Sequence, residues 1–485
     1  MTGGDVMGNS KIPFYVNLMA LHPEVTGSCI LGTVKLPYEE KTYHFAIDCG
    51  LFQEDEYREY NYEINSFNPE KLDFVLVTHN HVDHVGRLPM LIKKGYKGPI
   101  YCTEVTKSIL NLALFDTLRI IKGTAKKFHT KLMYDEEDVA NTIGQTMGVH
   151  YDVNVRINEH IKFTFLSNGH LLGSAMILLQ ISYPEEQDIN ILFTGDYNNK
   201  NMFFDVSALP KWVRKLPITV VQECTYGYMK TKEIVPVFNK NVIDAIENNN
   251  SVLLLAFSLG RSQEVLYTLK QMQDNGTLPT YIPIYFDGKL AHKYTKIYMD
   301  DELEVELKCK EFLPQNLEWV TDKEMRNVLL ELLRNKQEQM IVVTSSGMGS
   351  YGPAQVYIPK FIVEADALIH FTGYTAEGTL GRRLKEAEYG ETVTVGGQIL
   401  VKKAKVEYTS EFSAHAKADE LIDFLKKFSN LRSVLLNHGR AEVITQFGKE
   451  VIAENICEKV YRLSRDYYFK ITNHGVIKTA PTHFK

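Results

Sequence analysis

Short runs of apolar and β-branched residues recur along the chain, each closed by a polar or glycine-containing turn. YHFAID (43–48), LDFVLVT (72–78), IKFTFLSN (161–168), INILFTGD (189–196) and ITVVQE (218–223) are of this kind, and SVLLLAF (251–257), MIVVTSS (340–346), ALIHFTG (367–373) and the run at 433–439 follow. Such runs predict buried strands. Between them, TKSILNLALFDTLRIIKG (106–123) and SQEVLYTLKQMQ (262–273) read as helices. Strands alternating with helices imply an α/β architecture. The distinctive ionisable residues stand immediately after strand runs, the end at which open α/β sheets build their sites.

At 485 residues the chain exceeds one ordinary core, so two domains are expected, one inserted into the other. It is 44% hydrophobic and 24% charged with no run of 18 apolar residues, which predicts a soluble protein without a membrane span. The stretch MTGGDVMGNSKIPFY lacks the pattern of a secretory leader, so a cytoplasmic location is expected. Six scattered cysteines without CxxC pairs fit reduced, buried thiols better than a disulfide framework. The net charge of −6 argues against nucleic-acid binding through overall charge, and leaves room for a local cation-rich cleft.

The segment Thr78-His79-Asn80-His81-Val82-Asp83-His84 places four metal-ligand types within six residues, directly after a strand run. Imidazoles and a carboxylate are ligands that zinc accepts, and a strand-to-helix turn can fan them around one point. Four in so short a segment are best divided between two ions, His79 and His81 on one, Asp83 and His84 on its neighbour. A solvated histidine cluster at a helix start is the bland alternative, and the HxHxDH spacing outweighs it. His170, Asp196 and His438 each end a further strand run beside glycine. Singly they read equally well as turn formers; together they complete two coordination spheres.

These residues resemble the metallo-β-lactamase superfamily, specifically its β-CASP ribonuclease branch. Asp48 in Ile47-Asp48-Cys49-Gly50 resembles the first motif, His79 to His84 the second, His170 the third and Asp196 the fourth. Glu223 in Glu223-Cys224-Thr225-Tyr226-Gly227, His415 in Phe412-Ser413-Ala414-His415-Ala416 and His438 resemble the branch's motifs A, B and C. Glu24 to Ser28, Phe257 to Glu264, Ser346-Gly347-Met348 and Gly373-Tyr374 through Arg382 are similar to its auxiliary stretches. Arg440, Asp287-Gly288-Lys289 and Gly349-Ser350-Tyr351 depart from its usual pattern and bear on substrate preference.

The resemblance implies an αββα metallo-β-lactamase sandwich (1–209 and 401–485) interrupted by an α/β β-CASP cap (210–400). It implies two Zn2+, with Mn2+ able to substitute: one held by His79, His81 and His170, the other by Asp83, His84 and His438, with Asp196 bridging. The expected catalytic residues are Asp48, Asp83, Glu223 and His415, Asp48 orienting a ligand and Glu223 holding a general acid, His415. Substrate contacts are expected from Arg261, Ser346, Gly347 and Thr379; helix capping and glycine turns explain these equally well. A histidine at motif C is the RNA-type choice where DNA-repair relatives carry valine, so the expected activity is RNA phosphodiester hydrolysis, endonucleolytic and also 5′→3′ exonucleolytic. A DNA nuclease of the same fold, a small-ester or thioester hydrolase and a non-catalytic scaffold are the competing readings. Relatives often dimerise, which makes a homodimer an expectation.

Overall fold

A computed structural model describes residues 14–62, 67–300, 302, 305–373, 375 and 378–481. Tyr374 and most of the N-terminal stretch examined for a leader lie outside the described residues. The chain divides into two compact units, the first comprising the described residues up to Asn199 with Val206–Met229 and those from His415 onward, the second comprising Lys200–Asp205 and Lys230–Ala414.

The first unit stacks two sheets. In one, eight strands run in the order Gly475–Pro481, Tyr467–Thr472, Tyr15–Ala20, Ile30–Lys35, Thr42–Ile47, Phe74–Leu76, Ile100–Thr103 and Thr146–Val149. In the other, seven run in the order Val460–Arg462, Leu431–Asn437, Ile218–Glu223, Ile189–Phe193, Ala175–Ile181, Ile161–Ser167 and Asn154–Arg156. Val16, Phe45 and Phe74 from the first meet Phe163, Ile177 and Ile191 from the second in a shared core. Helices Glu104–Phe128 and Glu136–Gln145 cover the outer face of the eight-stranded sheet through Leu110, Leu114 and Val139. Helices Ala418–Leu425 and Ala441–Ala453 cover the other through Leu421, Ile444 and Phe447. The result is the αββα sandwich that the sequence resemblance implies.

This layering explains the continuous apolar runs. In Ile189–Phe193 the residues Ile189, Ile191 and Phe193 face the neighbouring sheet while Leu192 faces the helices, so neither side of the strand meets water.

The second unit is a six-stranded parallel sheet in the order Leu317–Val320, Ile284–Asp287, Ile341–Thr344, Ser251–Leu255, Ala367–Phe371 and Lys405–Tyr408. Helices Phe238–Glu247 and Arg261–Asp274 cover one face, and Lys323–Arg334, Ala354–Phe361 and Leu380–Glu386 the other. The unit is doubly wound with its own two-sided core. Its boundaries are 230 and 414, against the expected 210 and 400. Strand Ile218–Glu223 accounts for the first difference, because it pairs in parallel with both Ile189–Phe193 and Leu431–Asn437 in the middle of the first unit's sheet. Strand Lys405–Tyr408 accounts for the second, since it forms the edge of the six-stranded sheet beside Ala367–Phe371. Among the described residues no helix is long and apolar enough to cross a membrane, and the six cysteines form no disulfide.

Candidate metal centre

The first unit brings the strand-end residues together. His79, His81, His170 and Asp196 form one group and Asp83, His84 and His438 a second, the candidate ligand atoms of each group lying within 4.8 Å of one another. Asp196 faces both. Its Oδ2 lies 3.6 Å from His79 Nε2 and 3.6 Å from His170 Nε2, while its Oδ1 lies 3.3 Å from His84 Nε2 and 3.1 Å from His438 Nδ1.

Local backbone geometry delivers these side chains. Strand Phe74–Leu76 ends just before His79, and the short helix Val82–Val85 opens on His81, so the histidines and Asp83 splay from one turn. Asp48 and His438, each the residue just past a strand, are held at φ 59° and 51°. Non-glycine residues adopt this left-handed region at a cost, and it concentrates at functional sites. Gly50 meets the same turn so closely that an added Cβ would stand 1.5 Å from the Asp83 carbonyl oxygen. Only glycine tolerates that approach.

A layer of hydrogen bonds fixes the candidate ligands. Asp48 accepts from Thr78 N at 2.7 Å, Thr78 Oγ1 at 2.8 Å and His84 Nδ1 at 2.8 Å. His84 therefore carries its proton on Nδ1 and turns Nε2 toward Asp196. Asn168 donates to the carbonyls of Thr194 and Asp196 and accepts from His170 N, tying two ligand-bearing turns together. Thr225 Oγ1 sits 3.1 Å from His438 Nδ1. Neither Thr78, Asn168 nor Thr225 stood out in the sequence, because hydroxyls and amides at strand ends are common and only their three-dimensional partners distinguish them.

The electrostatics are those of a cation site. Burial drives the His79 imidazole well below its ordinary range, with nearby His84 adding to the effect, and pulls His81 down to about 4. Burial also opposes charge on His84, but Asp196 and Asp48 outweigh it and raise that imidazole. The buried His79 Nε2 makes no hydrogen bond. Imidazole nitrogens confront each other at 3.1 Å between His81 and His170 and at 3.3 Å between His84 and His438. Two lone pairs so placed repel unless a cation or proton lies between them. A metal ion bound by neutral imidazoles and carboxylates relieves both defects, and displaces any proton on its ligands. The residues present therefore fit a metal.

Beside the centre, His415 Nδ1 lies 3.0 Å from Glu223 Oε1, and His415 Nε2 lies 3.9 Å from Asp196 Oδ2. Glu223 also accepts the backbone N–H groups of Tyr197 and Thr225, at 3.0 and 2.8 Å. Burial disfavours the His415 cation, yet the Glu223 and Asp196 carboxylates outweigh it and raise the imidazole above its usual range.

With this geometry, the similarities of the chain are informative. Residues 39–198 match the description "Metallo-beta-lactamase superfamily", residues 262–384 "Beta-Casp domain" and residues 400–461 "Zn-dependent metallo-hydrolase RNA specificity domain". An RNase J-like protein of Methanocaldococcus jannaschii is 30% identical over 419 residues, covering 84% of this chain and 90% of that protein. The chain belongs to the β-CASP ribonuclease family of the metallo-β-lactamase superfamily. Transcription termination factor FttA of Methanosarcina mazei is 30% identical over 453 residues, 89% of this β-CASP chain and 67% of the factor. A ribonuclease of Thermus thermophilus is 29% identical over 416 residues, 83% and 89% of the two chains. This β-CASP chain spans 58% to 67% of the length of the archaeal termination factors that it matches first.

The four expected substrate contacts of this β-CASP protein all lie in the second unit, in turns after the neighbouring parallel strands Ser251–Leu255, Ile341–Thr344 and Ala367–Phe371. The turns interlock. Arg261 bonds Glu264 at 2.8 Å and the Thr372 carbonyl, so much of its guanidinium is committed within the fold. Gly347 packs where a Cβ would come within 3.0 Å of Phe257 N. Thr379 caps helix Leu380–Glu386 through Arg382 N, and Ser346 Oγ accepts from Tyr351 N at 3.3 Å. Asp287, in the segment that departs from the family pattern, is a buried brace bonded to Arg326 at 2.6 and 2.8 Å and to Tyr357 at 2.9 Å.

Proposed function

We propose that this chain is a two-zinc ribonuclease that hydrolyses RNA phosphodiester bonds, endonucleolytically and also from the 5′ end. The observation that carries the reading is Asp196, which offers one carboxylate oxygen to each of two ligand groups. His79, His81 and His170 would hold one ion, Asp83, His84 and His438 the other, with Asp196 shared; manganese could replace zinc at this mixed nitrogen and oxygen set. When bound, such a pair lowers the pKa of water from about 15.7 toward about 7 and offsets charge on phosphoryl oxygens.

The chain's own groups supply the rest. Asp48 holds His84 in the tautomer that leaves Nε2 free. Hydrolysis forms a bond from water oxygen to phosphorus and breaks the bond to the ribose 3′ oxygen, which departs needing a proton. Protonated His415, paired to Glu223 through Nδ1, turns its Nε2–H toward Asp196 and serves as the donor. We assign contacts with the RNA backbone to the convergent turns of the second unit, through Arg261, Ser346, Gly347 and Thr379, Arg261 also bracing those turns through Glu264 and the Thr372 carbonyl. The match to a description that names RNA specificity, over a segment containing His438, supports RNA over DNA.

One assay tests the reading: metal-reconstituted protein with 5′-phosphorylated, 5′-triphosphorylated and circular RNA, beside a DNA strand of matched sequence. A cut circle is expected, and dependence on the 5′ group reports the exonucleolytic mode. Preferential DNA cleavage, or no cleavage of any nucleic acid, overturns it.

A further inference from the structure

Lysine is rarely buried whole, yet Lys417, two residues past His415, is only 3% exposed. Its Nζ donates to the His415 carbonyl oxygen at 2.8 Å and stands 4.4 Å from the centre of the Tyr226 ring, the distance of a cation–π contact. That ring meets the His415 imidazole edge to face, its centroid 5.7 Å away and its plane turned by 83°. The backbone beneath the ammonium is pinned. Lys417 pairs with Tyr226 in an isolated parallel bridge, its N–H donates to Glu420 Oε2 at 2.9 Å, and Ala418 N donates to the Met229 carbonyl at 2.8 Å. Helix Ala418–Leu425 follows at once and sinks Leu421, Ile422 and Phe424 into the first unit's core.

The carbonyl that Lys417 holds belongs to the peptide group joining His415 to Ala416. The N–H of that group donates to the Tyr197 carbonyl at 2.7 Å, and Tyr197 N donates to Glu223 Oε1, the oxygen that also faces His415 Nδ1. A peptide group is planar, so a bond at each edge fixes the whole plane, whereas a bond at one edge leaves it a pivot. We infer that Lys417 is a positioning residue for His415: it holds the backbone from which the imidazole projects, while Glu223 holds the ring and Tyr226 backs both. The inference deepens the proposed mechanism and rests on the reading of His415 as proton donor for its consequence in rate. The carboxylate on the ring and the aromatic support beside the ammonium come from one short stretch, Glu223-Cys224-Thr225-Tyr226. A displacement of about 1 Å from a productive geometry costs on the order of 100-fold in rate, so a lysine acting only through a carbonyl can govern the acid.

A double-mutant cycle tests it. Lys417→Met keeps most of the stem and removes the donor. At saturating RNA its single-turnover cleavage rate is expected to fall about 10- to 100-fold, with the RNA dissociation constant and both metal equivalents at the wild-type level. In the His415→Ala background the same substitution should cost no more than about twofold, because the group through which it acts is already gone. Equal losses in the two backgrounds overturn the inference, as does a wild-type rate in Lys417→Met or a loss confined to RNA affinity. Should Lys417→Met not fold, Lys417→Gln, whose amide falls about one bond short of the carbonyl, is read in the same cycle. Crystal structures of the metal-free proteins report the arrangement without any cleavage: the variant is expected to show the 415–416 peptide turned and the His415 ring withdrawn from Glu223, and an unmoved peptide and ring overturn the inference. A wild-type protein that leaves RNA intact defeats the ribonuclease reading instead, and the crystal structures still decide the role of Lys417.

Discussion

At the scale of single residues, the imidazoles of the centre are shifted in opposite directions. His79 and His81 are driven toward neutrality by burial, the state a metal ligand needs, whereas His415 is pushed the other way by Glu223 and Asp196. His415→Ala should accordingly retain both metal equivalents and lose about 10²- to 10⁴-fold in cleavage rate, the usual contribution of a positioned acid; metal analysis beside single-turnover kinetics checks it, and full turnover in the variant removes His415 from the chemistry. Legibility in the sequence follows the same divide. His79, His81, Asp83 and His84 were readable because one turn carries them all, and His170, Asp196 and His438 because each follows a strand. Thr78, Asn168 and Thr225 were not, since what distinguishes them is a partner distant in sequence. Arg261 shows the converse: a Gly-Arg-Ser helix start does not reveal that its guanidinium already bonds Glu264 and the Thr372 carbonyl within its own fold.

At the scale of elements, the runs predicted strands because both faces of the strands are covered, and Ile161–Ser167, Ile189–Phe193, Ile218–Glu223 and Ser251–Leu255 fall inside the stretches read from sequence. Sheet membership was not legible. Nothing in ITVVQE tells which sheet it joins, so the expected start of the cap at 210 differs from the start of the second unit's main segment at 230. The contact between segment 48–50 and the turn carrying Asp83 shows what an element boundary can do. Gly50→Ala cannot be absorbed by a side-chain rotation, because the obstructing atom is a backbone oxygen. The expected outcome is destabilisation of about 1–3 kcal/mol, as for overpacking in general, with weaker binding of one metal equivalent; denaturant titration and chelator competition measure both, and wild-type values in each would contradict the close approach.

At the scale of the whole molecule, each unit has its own core, and among the described residues both groups of candidate metal ligands belong to the first. Stabilisation by a bound ion acts only on the state that binds it, by about 2.7 kcal/mol at a hundredfold excess over the dissociation constant. Chelation should therefore speed amide hydrogen exchange at residues 78–84, 168–171, 194–198 and 437–439 and leave the six-stranded sheet of the second unit unmoved; equal deprotection of both units would contradict this division.

The long detour between strands Ile218–Glu223 and Leu431–Asn437, which lie side by side in one sheet, has a consequence for synthesis. A ribosome must make the entire second unit before the strand that supplies His438 can dock against its neighbour. An unfinished polypeptide thus carries His79 to His84 but lacks His438, one of the three residues of the second candidate group. Both candidate groups can be complete only once translation has passed His438, downstream of the whole second unit.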